Sequence, residues 1–338
     1  MKEFLRSRIF GWAAFAVITI AVLAFLSLSE TARSKGISGT LILQLFISGI
    51  SFGSIYALVA LGFAIIYKAT SVVNFAQGQF LMIGAYSCFG ILSNLTSTTS
   101  IPWVWAIILS LVFAIVLAMV VERLILRPMI GEPIISIIMA TIGLSYVLRS
   151  IATAIWGTDP QYFSPKLFPD KTVSVAGLNL PYEYIWGFSL SITLLCLFGL
   201  FFKYSKAGIA MRATAFSNQV ALSMGISVKN IFALSWCISA VVSFIGGILL
   251  ANITAVSVDL GYMGLKVFPA VILGGLDSVL GAAIGGIVIG VLENLSDGVV
   301  SKLFGLQGIK EVAPFVFLVI ILMIKPYGLF GTEEIERV

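Results

Sequence analysis

The chain has 338 residues, 59% hydrophobic and only 10% charged, with a formal net charge of +5 and a mean hydropathy of +1.10. A soluble domain carries about 25% charged residues, so this composition excludes a water-soluble globular fold and predicts an all-α integral membrane protein in one domain, 1–338. Histidine and the pair Gly-Lys are both absent, which removes histidine metal sites, histidine bases and any phosphate-cradling G-x-x-x-x-G-K-[ST] loop. No cofactor or metal is expected, and the small basic excess reads as membrane topology, with no nucleic acid as partner.

About eight transmembrane helices are predicted, over 9–28, 40–67, 79–95, 102–121, 134–155, 184–202, 231–252 and 312–325. The first follows the basic start Met1-Lys2-Glu3-Phe4-Leu5-Arg6-Ser7-Arg8. It is long for a signal core and no small-x-small site follows, so it reads as an anchor. The second holds Gly49-Ile50-Ser51-Phe52-Gly53, a small-x-x-x-small spacing repeated at Gly281 to Gly285 and Gly286 to Gly290. Such spacing lets helices approach closely.

Between Lys35 and Glu122 the only charge is Lys68, just ahead of Val72-Val73-Asn74-Phe75-Ala76-Gln77-Gly78-Gln79. Three amides in an apolar setting would cost roughly 2–7 kcal/mol each without partners. A broken or re-entrant segment is predicted near 68–79. Asn74, Gln77 and Gln79 either line a solute pathway or its gate, or tie the loop to neighbouring helices by hydrogen bonds. Neutral amides suit a polar solute better than an ion filter built on charged rings.

Residues 157–183 carry Asp159, Asp170 and Glu183 against Lys166 and Lys171, with four prolines, and are expected outside. Residues 203–230 carry Lys203, Lys206, Arg212 and Lys229 and no acid, so that loop is expected in the cytoplasm, together with both termini and the 122–128 turn. Within it Ala213, Phe216, Val220, Ala221 and Met224 fall on one helical stripe, Thr214, Asn218 and Ser223 face elsewhere, and Gly225 stops the helix. A short small-residue helix of this kind either lies on lipid headgroups or docks into a groove of a cytoplasmic subunit. Its alanine-rich face favours docking.

The 267–295 segment is long enough to cross, but Gly274-Gly275-Leu276-Asp277-Ser278 interrupts it. Two short helices around a broken turn, entering and leaving on one side, are predicted; a kinked ordinary span is the alternative. Cys88, Cys196 and Cys237 lie in apolar runs without Cys-x-x-Cys spacing and read as buried thiols.

Taken together, Asn74-Phe75-Ala76-Gln77-Gly78-Gln79 and the 212–226 stretch resemble permeases of branched-chain amino-acid ATP-binding-cassette importers, whose signature is Asn-Phe-Ala-His-Gly-Glu. Gly53-Ser54-Ile55-Tyr56-Ala57-Leu58, Glu122-Arg123 with Arg127-Pro128, Gly274 to Ser278, and Lys325-Pro326-Tyr327-Gly328-Leu329-Phe330-Gly331 match as well, in family order. The resemblance implies a second permease subunit, identical or diverged, two cytoplasmic ATPases and an external solute-binding protein, in a bacterial or archaeal cytoplasmic membrane.

It makes Asn74, Gln77, Gln79, Tyr56 and Asp277 candidates for the pathway or gate. Arg212, Ala215, Ser217, Asn218, Gln219, Ala221 and Gly225 become candidates for ATPase coupling. Gln77 and Gln79 replace the family's His and Glu, no acid stands near Gln219, and Arg149 stands where an uncharged residue is common. Arg149 either snorkels to the outer interface or meets a solute carboxylate or the binding protein. Asp277 is read chiefly as a turn residue. Relatives of this type handle amino acids, urea, short amides and aromatic acids. The rival reading is a self-sufficient transporter or channel, for which Asp277 is the candidate ion-coupling carboxylate.

Overall fold

The computed structural model describes residues 37–96, 103–169, 171–175, 178–325 and 328–331; the predicted 9–28 span and Pro326-Tyr327 lie outside the described residues. Helix α1 (Gly39–Thr70) is the axis of the fold, with its apolar span 94% buried against 11% for α5 (Tyr182–Tyr204). Ser38 caps its start by accepting from the Leu41 N–H at 3.2 Å. Ser71 ends it in the left-handed conformation, its N–H bonding the Tyr67 carbonyl.

The chain then turns back, and α2 (Gln77–Thr96) starts beside the middle of α1, where Gln77 lies against Gly62. The predicted break near 68–79 is therefore present. Helix α3 (Trp103–Val121) continues through a π turn (Glu122–Leu126) and a 3-10 turn (Arg127–Met129). Helix α4 (Ile134–Trp156) and α5 flank a hairpin of β1 (Thr172–Val175) and antiparallel β2 (Leu178–Pro181). Lys166 pairs with Glu183 at 3.1 Å at that end.

At the opposite end lie α6 (Lys206–Phe216) and α7 (Asn218–Ser223), followed by α8 (Val228–Ile253). Next come a 3-10 turn (Val258–Tyr262), α9 (Met263–Gly274), α10 (Val279–Phe304) and α11 (Ile309–Ile324). Among the described residues, six helices are long and apolar enough to cross a bilayer: α1, α3 with its turns, α4, α5, α8 and α10. The predicted 79–95 and 312–325 spans are also helical, as α2 and the shorter α11.

The 267–295 segment is broken at Gly275, as expected, but its two helices are unequal. Helix α9 has 12 residues and α10 has 26, so only the first is short. The reason is the glycine face of α10. A Cβ at Gly290 would strike the Gly53 backbone, and one at Gly286 would strike the Ala57 backbone, so α10 runs in backbone contact along α1. Gly281 and Gly285 face the other way, onto the Gly274 and Ala270 carbonyls of α9. Lys68 Nζ donates to the Asp277 carbonyl at 3.2 Å, tying the end of α1 to the α9–α10 turn.

Cys88 is buried as expected, but Cys237 is only partly covered and Cys196 is exposed on the outer face of α5. An outward apolar surface is acceptable there because lipid, or a second membrane subunit, is as apolar as a thiol.

Candidate functional site

Asn74 shapes the re-entry point first. Its Oδ1 accepts from the Ala76 N–H at 3.0 Å, an Asx turn that starts α2. Its Nδ2 donates to Gln77 Oε1 at 3.0 Å. Gln77 Nε2 in turn donates to Ser239 Oγ at 2.8 Å and Ser243 Oγ at 2.5 Å, both on α8, and Ser239 Oγ donates to the Gly62 carbonyl at 3.0 Å. Asn74 and Gln77 are buried, and protein groups satisfy them. The network ties α1, α2 and α8 together.

Gly78 meets Gly264 so closely that neither position has room for a Cβ, which brings the start of α2 against the start of α9. Gln79 is buried beside Gly261, and its Oε1 has no hydrogen-bond partner among the described residues. Arg149 stacks over the Tyr262 ring at 4.3 Å, a partner that neither sequence reading named.

Tyr56 and Asp277 do not join the amide network. Tyr56 is buried with its hydroxyl 3.9 Å from Met263 Sδ. Asp277 is half-buried in the α9–α10 turn beside Lys68. The sequence reading missed the charges near Tyr56. Lys266 Nζ lies 2.7 Å from Glu311 Oε1 and 3.7 Å from Glu293 Oε1, with Lys266 and Glu293 both buried. Glu293 is therefore a second candidate carboxylate beside Asp277, and the more deeply buried of the two. A lone lysine in 262–276 and a lone glutamate in 279–296 were the available signal. Ser239 and Ser243, four apart on one face of α8, were a weaker one.

The loop between α5 and α8 also differs from a single striped helix. Ser217 is extended, at φ −161° and ψ 118°, and its Oγ accepts from the Val220 N–H at 3.3 Å. It ends α6 and caps α7 at once. The break splits the stripe. Ala221 is buried, whereas Phe216 is 92% exposed, with Val220 and Met224 also exposed. Arg212 donates to the Phe202 carbonyl at 2.7 Å and the Lys203 carbonyl at 3.2 Å, capping the end of α5. Gly225 does stop the helix, at φ +79°. Ala215 is partly covered and Gln219 exposed; Asn218 begins α7, and its side chain lies outside the described residues.

The family described as branched-chain amino acid transport system / permease component matches residues 45–324. This chain belongs to that family. The permease is 32% identical over 311 residues to the LivH permease protein of the high-affinity branched-chain amino acid transport system of Escherichia coli, covering 88% of this chain and 97% of LivH. It is 32% identical over 308 residues to the corresponding BraD protein of Pseudomonas aeruginosa, covering 88% and 98%. A fructose import permease protein, FruF of Bifidobacterium longum, is 24% identical over 344 residues, covering 96% and 88%. No solved structure matches.

Replacing Gln77 by Leu in this permease strands Asn74 Nδ2 and the buried Ser243 hydroxyl, while Ser239 keeps its bond to the Gly62 carbonyl. Each stranded group costs about 1–3 kcal/mol, so the thermal midpoint of purified Gln77→Leu should fall clearly below wild type. An unchanged midpoint would show that the network contributes nothing.

Proposed function

We propose that the chain is the permease subunit of an ATP-driven importer for branched-chain amino acids or related small polar solutes such as amides, urea and carboxylates. It forms the translocation pathway and works by alternating access. It catalyses no covalent step itself; two cytoplasmic ATPase chains supply the energy. A second permease subunit and an external solute-binding protein complete the assembly, in a bacterial or archaeal cytoplasmic (inner) membrane with both termini in the cytoplasm. The closed network of Asn74, Gln77, Ser239 and Ser243 is its gate, with Gln79 and Tyr56 beside it and Asp277 at the hinge of α9 and α10.

The observation that carries this reading is the uncovered apolar knob at the α6–α7 break. Phe216, Val220, Leu222 and Met224 are all more than half exposed at the end of the bundle bearing the basic loop. Ser217 and Gly225 hold that shape by ending the two helices, and Arg212 fixes the knob to α5. A groove in an ATPase is the fitting counterpart. Because Ala221 is buried, charge placed there would disturb the fold before it disturbed docking, so the test belongs at Val220.

A C-terminally tagged complex, extracted mildly from native membranes, should carry two ATPase chains and a second permease. Val220→Arg should lose the ATPases and at least tenfold of transport while the permease keeps its wild-type thermal midpoint. A lone polypeptide would sink the importer reading in favour of a self-sufficient transporter, whereas a Val220→Arg variant that retains its ATPases would overturn the docking role of the knob.

A further inference from the structure

A cavity of about 160 Å³ opens at the α6–α7 end of the bundle, between α1, the end of α3, the start of α4 and α8. Its walls are largely apolar, with Ile66, Ile137, Phe232 and Trp236 among them, and Thr70, Asn74, Thr141, Glu122, Arg127 and the exposed Glu132 are its polar side chains. One water needs roughly 10–15 Å³ of such space, so the cavity is on the scale of a small solute and far below that of a peptide.

The charged pair in this cavity depends on an unusual piece of backbone. Residues five apart do not share a face of an α-helix, but the last turn of α3 is a π turn, closed by the Arg127 N–H on the Glu122 carbonyl. That turn brings Arg127 over Glu122. Nε lies 3.1 Å from Oε1 and Nη2 lies 3.1 Å from Oε2. The carboxylate is buried while the guanidinium side chain is 32% exposed, so the negative group is the deeper and the positive group faces the mouth. Asn74 connects the cavity directly to Gln77 and the closed network.

We propose that this cavity is the inner solute subsite, which takes a zwitterionic α-amino acid with a branched aliphatic side chain. Glu122 receives the ammonium group and Arg127 the carboxylate, the two separating as the solute enters between them. The apolar walls hold the side chain. The assignment of solute class rests on the importer reading above; the position of the subsite rests on the cavity and the π-turn pair.

The test uses the full importer complex in lipid nanodiscs without binding protein. Radiolabelled L-leucine binding is measured against three competitors: isocaproate, which lacks the ammonium, isoamylamine, which lacks the carboxylate, and L-alanine, which lacks the branch. Each should compete at least tenfold more weakly than unlabelled L-leucine. Ile137→Trp fills the cavity and should weaken L-leucine binding at least tenfold; Ile137→Phe, a smaller intrusion, should weaken it less and shift preference toward L-alanine. Glu122→Gln should erase the discrimination against isocaproate.

Unchanged L-leucine affinity in both Ile137 variants would overturn the subsite, as would equal competition by all three analogues, the behaviour of a lipid-filled crevice. Uptake into proteoliposomes with the binding protein separates the two levels. Leucine transport at wild-type KM in Ile137→Trp and Glu122→Gln overturns the subsite alone. Failure of the wild-type complex to take up any branched-chain amino acid, short amide, urea or carboxylate with ATP present overturns the importer reading with it.

Discussion

Gly290→Leu is expected to leave no folded protein. The backbones of α10 and α1 touch at this point, so the atoms a new side chain would meet are the Gly53 N and Cα, which have no rotamer to change. Overpacking against movable side chains costs about 1–3 kcal/mol, and displacing a helix whose apolar span is 94% buried must exceed that. Gly298, one pair of turns further along, gives the contrast. A Cβ there meets only the tip of Leu45, so Gly298→Ala should be nearly neutral once that leucine shifts. Detergent-solubilised Gly290→Leu should give no monodisperse peak in size-exclusion chromatography, whereas Gly298→Ala should elute and melt as wild type does. A well-behaved Gly290→Leu protein would mean that α10 does not lie on α1 as described.

Lys266→Met should be nearly as damaging, for an electrostatic reason. Glu293 is fully buried, and its carboxylate oxygens accept no hydrogen bond within 3.5 Å among the described residues. The Lys266 ammonium at 3.7 Å is its compensating charge. Removing one partner of a buried pair typically costs about 3–5 kcal/mol, because the other charge is left uncompensated, whereas replacing both is often close to neutral. Lys266→Met should therefore lower the thermal midpoint strongly, and Lys266→Met with Glu293→Gln should recover most of the loss. Glu311 is the exposed partner, with its side chain 65% accessible, and water can replace the lysine there. Glu311→Gln alone should cost no more than about 1 kcal/mol. Additive single effects, with no recovery in the double variant, would show that Lys266 and Glu293 are not coupled.

The ion pair also gives the half-helix α9 fixed attachments, through Glu293 to α10 and through Glu311 to α11. The proposed gate lies at the start of that half-helix, where Gly264 meets Gly78.

Composition and local pattern determined the class of this protein. Few charges and long apolar runs allow only a membrane fold, because backbone polar groups in lipid must be satisfied within helices. The positions of the helices, the close-packing glycines, the break at 275 and the helix stop at Gly225 were legible for the same kind of reason: each depends on a residue and its neighbours within one or two turns. The family signature was legible as well, with glutamines in place of its His and Glu.

Tertiary structure decided what each polar residue does. Gln77 finds its partners 162 and 166 positions away, on a helix whose serines look unremarkable in sequence. Ala221 turned inward and Phe216 outward because Ser217 broke a helix that the apolar stripe alone would have continued. Glu293 and Lys266 became a pair only because α9 folds back against α10. The π turn that aligns Glu122 with Arg127 left no mark in hydrophobic period. Satisfying buried polar groups is a problem in three dimensions, and separation along the chain carries almost no information about who solves it.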